Sequence, residues 1–300
     1  MATLTNTITS DQYKVALDQE FLANFRQEGD RLNEILGNFG FEVVHAGTAL
    51  YQLKVTGSLN ESAADAGSSG AAYVEGDEVA LSKYAAEKVP MGSVTIKPYR
   101  KRTTAQAIQQ NGYVAAVART DKKMLSDVRK DILKEFFAFL ENGTGAASGT
   151  TLQAALANAD AALADAMEDN GDGSPSGVVH LVNRQDAAAY LGAQPVTTQT
   201  AFGMTYLESF LGVESVLLTN QVAKGSFWVT PKENVHVLTA DYSELAKGGI
   251  SYATEQNGLV GVAHTPAYDH VSTDTHVVTA MTLFPEITDY IINGTIAPAA

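Results

Sequence analysis

The stretch from about Gly57 to Pro90 constrains this chain more than any other. It reads GSLNESAADAGSSGAAYVEGDEVALSKYAAEKVP, small, polar and acidic, with too few apolar residues to build a core of its own. Two segments of strand character flank it, Thr48–Val55 (TALYQLKV) and Ser93–Arg102 (SVTIKPYRKR). Connections longer than about 12–15 residues are uncommon in compact domains unless they serve a function. The pattern predicts a two-stranded flap that must lie on another surface, and a neighbouring copy of the same chain would supply one.

The rest of the chain has the means to fold around a core. It has 300 residues, 45% of them hydrophobic, enough for one large or two ordinary domains. The 34 acidic side chains outnumber 20 basic ones, and the formal charge of −14 argues against the broad basic footprint of a nucleic-acid binder. Without cysteine there are no disulfides or thiolate metal sites, so packing and assembly must supply the stability. No window reaches the roughly 18–20 apolar residues of a membrane-spanning helix, and MATLTNTITSDQYK lacks a basic region followed by an apolar one. A soluble, unsecreted protein with no membrane partner is expected.

Periodicity predicts an arm followed by an amphipathic helix over Asp11–Leu36, capped by Ser10 or Asp11, then a short strand at Phe41–His45. The clearest signal is Asp121–Glu141, where Leu125, Val128, Ile132, Phe136 and Leu140 recur at spacings of three and four. Asp121 is the expected N-cap, and Ala105–Ala118 extends the element upstream with a break at Asn111–Gly112. An alanine-rich helix follows at Thr151–Glu168. Short β-branched runs come next at Val178–Val182, Val213–Leu218, Ser226–Thr230 and Val235–Leu238, with helices expected at Arg184–Leu191 and Thr205–Leu211. Leu259–Ala263, His276–Leu283 and Asp289–Ile292 close the chain as strands.

This order, carried by KYAAEKVPMGSVTIKPYRKRTTAQAIQQNGY (Lys83–Tyr113), KMLSDVRKDILKEFFAFLENGTG (Lys123–Gly145), VVHLVNRQDAAAYLG (Val178–Gly192) and SFWVTPKENVHVL (Ser226–Leu238), resembles the major capsid proteins of tailed double-stranded DNA bacteriophages. The resemblance implies an α+β, Hong Kong 97-like capsid fold. Residues 1–47 would form an N-terminal arm and helix, and 48–95 the extended E-loop β-hairpin. The peripheral domain would comprise 96–150 and 246–300 with the long spine helix, and the mixed α/β axial domain 151–245. It further implies a structural protein, not an enzyme, that self-assembles as hexamers and pentamers of an icosahedral phage head in the host cytoplasm. Scaffolding, portal and decoration proteins are the implied partners, and double-stranded DNA would be contained more than specifically bound. The short arm before the first helix implies either a separate scaffold or an already mature form, and Met1 favours the former. An encapsulin-type nanocompartment shell is the alternative within the same fold.

For a shell subunit, opposite charges mark candidate interface residues. Glu75, Asp77, Glu78 and Glu87 in the flap are opposite in sign to Lys97, Arg100, Lys101 and Arg102 just beyond it. Pairing between them on adjacent subunits would make assembly sensitive to salt. Some relatives cross-link flap lysines to a neighbour's asparagine, but no motif here identifies the partners of Lys83 or Lys88, and that chemistry is not carried over.

Other constellations are weaker. His264, Asp269, His270, Asp274 and His276 lie within HTPAYDHVSTDTH, which is the basis of a rival reading as a metal-dependent enzyme. Their spacing fits no compact zinc pattern, however, and neither a phosphate loop nor a Gly-x-Ser-x-Gly elbow is present. Asn170, Asp172 and Gly173 mimic the start of a calcium loop, but position one is Glu168 and Val179 stands in place of the distal acid, so a surface turn is expected. Trp228 and the Phe136–Phe137 pair are expected in the core. No cofactor or metal is expected.

Overall fold

The computed structural model describes residues 21, 32, 35–45, 47–58, 81–193, 206–208, 215–254 and 257–297. They form two units, Gly47–Ser93 and the chain on either side of it. Within the first predicted helix, Phe21, Leu32, Ile35 and Leu36 are helical and buried, as an amphipathic stripe requires. Its proposed cap at Ser10 or Asp11 lies outside the described residues.

β1 (Glu42–His45) precedes the flap, in which β2 (Ala49–Ser58) pairs antiparallel with β3 (Lys83–Ser93). The second arm of the flap is thus Lys83–Ser93 and not Ser93–Arg102. KYAAEKVPMGS is poor in β-branched residues and exposed along almost its whole length, so it carries none of the alternation by which a half-buried strand is read.

β4 (Lys97–Thr104) belongs to the larger unit. α1 (Ala105–Asn111) starts at Thr104, whose Oγ1 accepts from the Ala107 amide at 3.3 Å, and stops at Gly112, whose φ of 77° suits glycine. A π-turn, Val114–Ala118, runs straight into α2 (Arg119–Leu140). Because Ala118 is itself helical, with φ −61° and ψ −45°, Asp121 lies inside the helix and does not cap it. The five apolar residues that predict α2 are all buried along it.

β5 (Gly145–Gly149) leads to α3 (Leu152–Asp169), capped by Thr151 Oγ1 accepting from the Ala154 amide at 3.2 Å. β6 (Val178–Asn183) ends where Asn183 Oδ1 accepts from the Gln185 amide at 2.7 Å and so opens α4 (Arg184–Ala193). β7 (Tyr206–Glu208) stands where a helix over Thr205–Leu211 is expected; three residues paired to a neighbouring strand are too few for periodicity to reveal. β8 (Ser215–Thr219), β9 (Ser226–Pro231), β10 (Val235–Asp241), α5 (Ser243–Lys247), β11 (Ala253–Thr254), β12 (Val260–Ala267), β13 (Ser272–Thr279), β14 (Met281–Pro285) and β15 (Ile292–Ile296) complete the fold. The run His276–Leu283, expected as one strand, is divided at Ala280 because its halves pair into different sheets.

A six-stranded mixed sheet has the order β5-β15-β9-β6-β8-β7, and its β5 and β15 come from the segments that flank the 151–245 region. Every residue of β6 is buried, because both faces of that sheet are covered. Val178, Val182, Phe227 and Val229 join the α3 residues Leu156 and Leu163 in one core. Val179, Leu181, Leu217 and Trp228 join Phe136 and Phe137 of α2 in the other. Trp228 lies 5.6 Å from the Phe137 ring, so both aromatics are core, as the sequence suggests. A four-stranded antiparallel sheet, β11-β12-β13-β4, and a three-stranded one, β1-β10-β14, complete the α+β unit.

Candidate functional site

β4 carries the four cations singled out in the sequence, and its period of two divides them between opposite faces. Lys97 and Lys101 reach α2. Arg100 and Arg102 reach Asp274 on β13, the neighbouring strand.

On the α2 side, Lys97 bonds Asp131 and, at 2.6 Å, Glu135, while the Tyr99 hydroxyl also donates to Asp131. These bonds from the two carboxylates raise the Lys97 pKa above the usual lysine range, and burial followed by the Asp131 bond raises that of Tyr99. One turn along the strand, Lys101, Thr275 and His264 stand side by side on β4, β13 and β12, and all three bond one carboxylate, Asp121 of α2. Thr275 Oγ1 donates to Asp121 Oδ1 at 3.0 Å, and His264 Nε2 lies 3.2 Å from Oδ2. Burial pushes the Asp121 pKa upward and is the largest single influence. Bonds from His264 and Lys101 together outweigh it and hold the carboxyl below its ordinary value. Phe21 closes the cluster, its ring edge-on to His264 at 6.1 Å.

On the opposite face, Asp274 is buried, its side chain only 2% exposed. It accepts from Arg102 Nε at 2.7 Å, Arg102 Nη2 at 2.9 Å and Arg100 Nε at 3.0 Å. Arg102 is the main cause of a pKa far below the usual carboxylate range, and Arg100 adds to it. Beside them His276 Nε2 lies 3.0 Å from Thr265 Oγ1, and burial followed by the Arg100 charge lowers its pKa.

The histidine-rich segment therefore does not converge. His264 faces α2, Asp274 and His276 lie on the other face, and His270 pairs with Asp269 at 3.2 Å in an exposed turn. Among the described residues no three His, Asp or Glu side chains are arranged to hold a metal ion. Sequence reasoning singled out the four β4 cations but not the partners Asp131 and Glu135, and it assigned Asp121 and Asp274 other roles. The i, i+4 spacing of Asp131 and Glu135 marks one helix face; the pairing to a strand more than 30 residues away is a tertiary fact.

The flap is the second element of interest. Glu75, Asp77 and Glu78 lie outside the described residues. Glu87 is exposed on β3, opposite Lys54 on β2. Lys88 Nζ sits 4.3 Å from the centre of the Tyr51 ring, and Tyr51, Val55, Leu81 and Tyr84 are each more than half exposed. A two-stranded hairpin with no buried face is marginal in water by itself.

No protein-family model matches this sequence, and no curated protein matches it. In structure the chain is similar to the capsid subunit of Cyanophage A-1(L), at 12% identity and a TM-score of 0.58, over 89% of this chain and 93% of that one. It is also similar to the capsid protein of Cyanophage P-SCSP1u, at 11% identity and a TM-score of 0.52, over 86% of each chain. A virus-like particle from Pyrococcus furiosus aligns at 11% identity and a TM-score of 0.50, over 94% of this chain and 99% of that one. The chain has the α+β fold of a capsid subunit. That fold is the Hong Kong 97-like one, and the solved structures to which this chain is similar are dominated by phage major capsid proteins.

Proposed function

We propose that this chain is the subunit of a closed protein shell, a major capsid protein that assembles as hexamers and pentamers into an icosahedral phage head around double-stranded DNA. The observation that carries the reading is the β2–β3 hairpin, a ribbon of ten paired positions with three large exposed apolar or aromatic side chains, Tyr51, Val55 and Tyr84, on a fold shared with capsid subunits. Such a ribbon gains stability by covering a neighbour, and an interface of standard size supplies what its own packing lacks. The role is structural, with a spine helix and adjoining sheet forming the peripheral domain and the six-stranded sheet the core of the axial domain. Scaffolding, portal and decoration proteins would act with it during assembly in the host cytoplasm, and the finished location would be the virion.

In this reading flap acids, Glu87 among them, meet the basic strand of an adjacent subunit chiefly through Arg100. Its side chain is 54% exposed, whereas Lys101 is mostly buried against Asp121. The test is negative-stain electron microscopy with size-exclusion chromatography of the protein expressed alone and with its neighbouring genes. Closed shells or hexameric capsomers are expected, weakened by salt and by Glu87→Gln. A monodisperse monomer under every condition overturns the reading, and shells that enclose a protein cargo instead of DNA convert it to a nanocompartment.

A further inference from the structure

Positive charge is concentrated in one part of this acidic chain. Half of its 20 Lys and Arg residues fall between Lys97 and Lys134, together with only three acids, Asp121, Asp127 and Asp131. Asp121 is occupied by Lys101, and Asp131 by Lys97 and Tyr99. What remains is the outer face of α2. Arg119, Lys122, Lys123, Lys130 and Lys134 are all exposed, and at about 100° per residue they fall within an arc of roughly 120°. Asp127 borders this stripe, 2.6 Å from Lys123 and 3.9 Å from Lys130. At 1.5 Å rise per residue the stripe is about 22 Å long, the axial length of roughly six base pairs.

We propose that this face of α2 is a docking surface for the phosphate backbone of double-stranded nucleic acid, and that it marks the side of the subunit turned toward the packaged genome. The inference deepens the shell reading and rests on it for the word "packaged". A phosphate backbone fits better than an acidic protein because no large apolar residue is exposed along the arc: between the cations stand the half-buried Ser126 and the buried Leu133, while Leu125 and Val128 are buried on the far face. Protein partners are held by buried apolar anchors, whereas backbone contact needs only repeated cations and carries no sequence preference. Lys123 and Lys130 exchange Asp127 for phosphate, at small cost because exposed pairs of this kind contribute little.

The full-length protein, in whatever assembly state it adopts, is titrated with a 20-base-pair mixed-sequence duplex by fluorescence anisotropy across a salt series, with particles counted by electron microscopy in the same samples. The expected result is sequence-independent binding that weakens with salt. The triple variant Arg119→Gln/Lys130→Gln/Lys134→Gln should reduce the slope of log K against log salt by about 2 to 3, at about 0.9 per phosphate contact. A control with the same charge removed elsewhere, Arg184→Gln/Lys224→Gln/Lys247→Gln, should leave the slope unchanged. Equal effects from both triples, no binding at low salt, or tighter binding of a poly-glutamate peptide than of the duplex would overturn the proposal. Particles that form normally while the slope ignores the triple variant defeat this proposal alone. Absence of particles with the slope change intact defeats the shell reading and leaves the phosphate surface standing.

Discussion

Arg102 stands directly opposite Asp274 in the β4–β13 pairing, and its Nε donates to Asp274 Oδ1 at 2.7 Å while the carboxylate itself is sealed from solvent. Replacing Asp274 by Asn keeps the shape but leaves Arg100 and Arg102 facing each other without a counter-charge. Both arginines retain partial access to water, which screens them, so the cost should be about 1–2 kcal/mol and not the full penalty of a broken buried pair. Denaturant unfolding of Asp274→Asn, with Arg102→Gln and the double variant to complete a cycle, measures it.

Asp121 presents a more severe case, since Lys101 is also largely buried. Asp121→Ala should destabilise by about 3 kcal/mol by stranding the Lys101 ammonium, whereas Lys101→Met with Asp121→Leu should recover most of that loss by packing. Calorimetric melting of the single and paired variants distinguishes an ion pair that supplies stability from one that mainly selects a geometry.

The acid response follows from the directions of the shifts. Asp274, Asp121 and Asp131 all sit below their ordinary carboxyl values in the fold, so they bind protons more readily when unfolded. Their stabilisation is complete above the unfolded pKa of about 4 and is lost as pH falls below it through the folded values. His276 is lowered as well, so its unfolded form protonates first and stability declines as pH falls below about 6.5. Tm against pH should fall in two stages, the upper removed by His276→Gln and the lower reduced by Asp274→Asn.

Gly294 of β15 lies against Phe227, and a Cβ there would approach the ring carbon Cζ to 2.0 Å, well inside contact distance. Phe227 is fully buried and has no room to retreat. Gly294→Ala should therefore cost several kcal/mol or abolish soluble expression, and Gly294→Ala with Phe227→Leu should restore part of it.

Val271, in the β12–β13 turn, has a φ of 47°, a conformation that a β-branched residue adopts only under strain. The residue is 60% exposed and contributes little packing to offset that. Val271→Asn should stabilise by about 1 kcal/mol, read as an increase in the urea midpoint at constant m. If the strained turn serves contact between subunits, shell yield should fall even as the monomer gains stability.

The sequence alone determined those elements whose information is local. The spacing of Leu125 to Leu140 defined α2, Thr151 marked the start of α3, and Asn111–Gly112 marked the break before α2. β3 left no such trace: it lies about ten residues before the expected second flap arm, because it has no buried face to impose alternation. The site was half legible. Its cations fall within six residues of one strand, but their partners Asp121, Asp131, Glu135 and Asp274 are scattered over more than 150 residues. Only the tertiary structure brings them together, for the register of β4 against β13 sends alternate cations to opposite faces. Ion pairing acts through space and has no sequence period, whereas helix formation is governed by neighbours three and four residues apart.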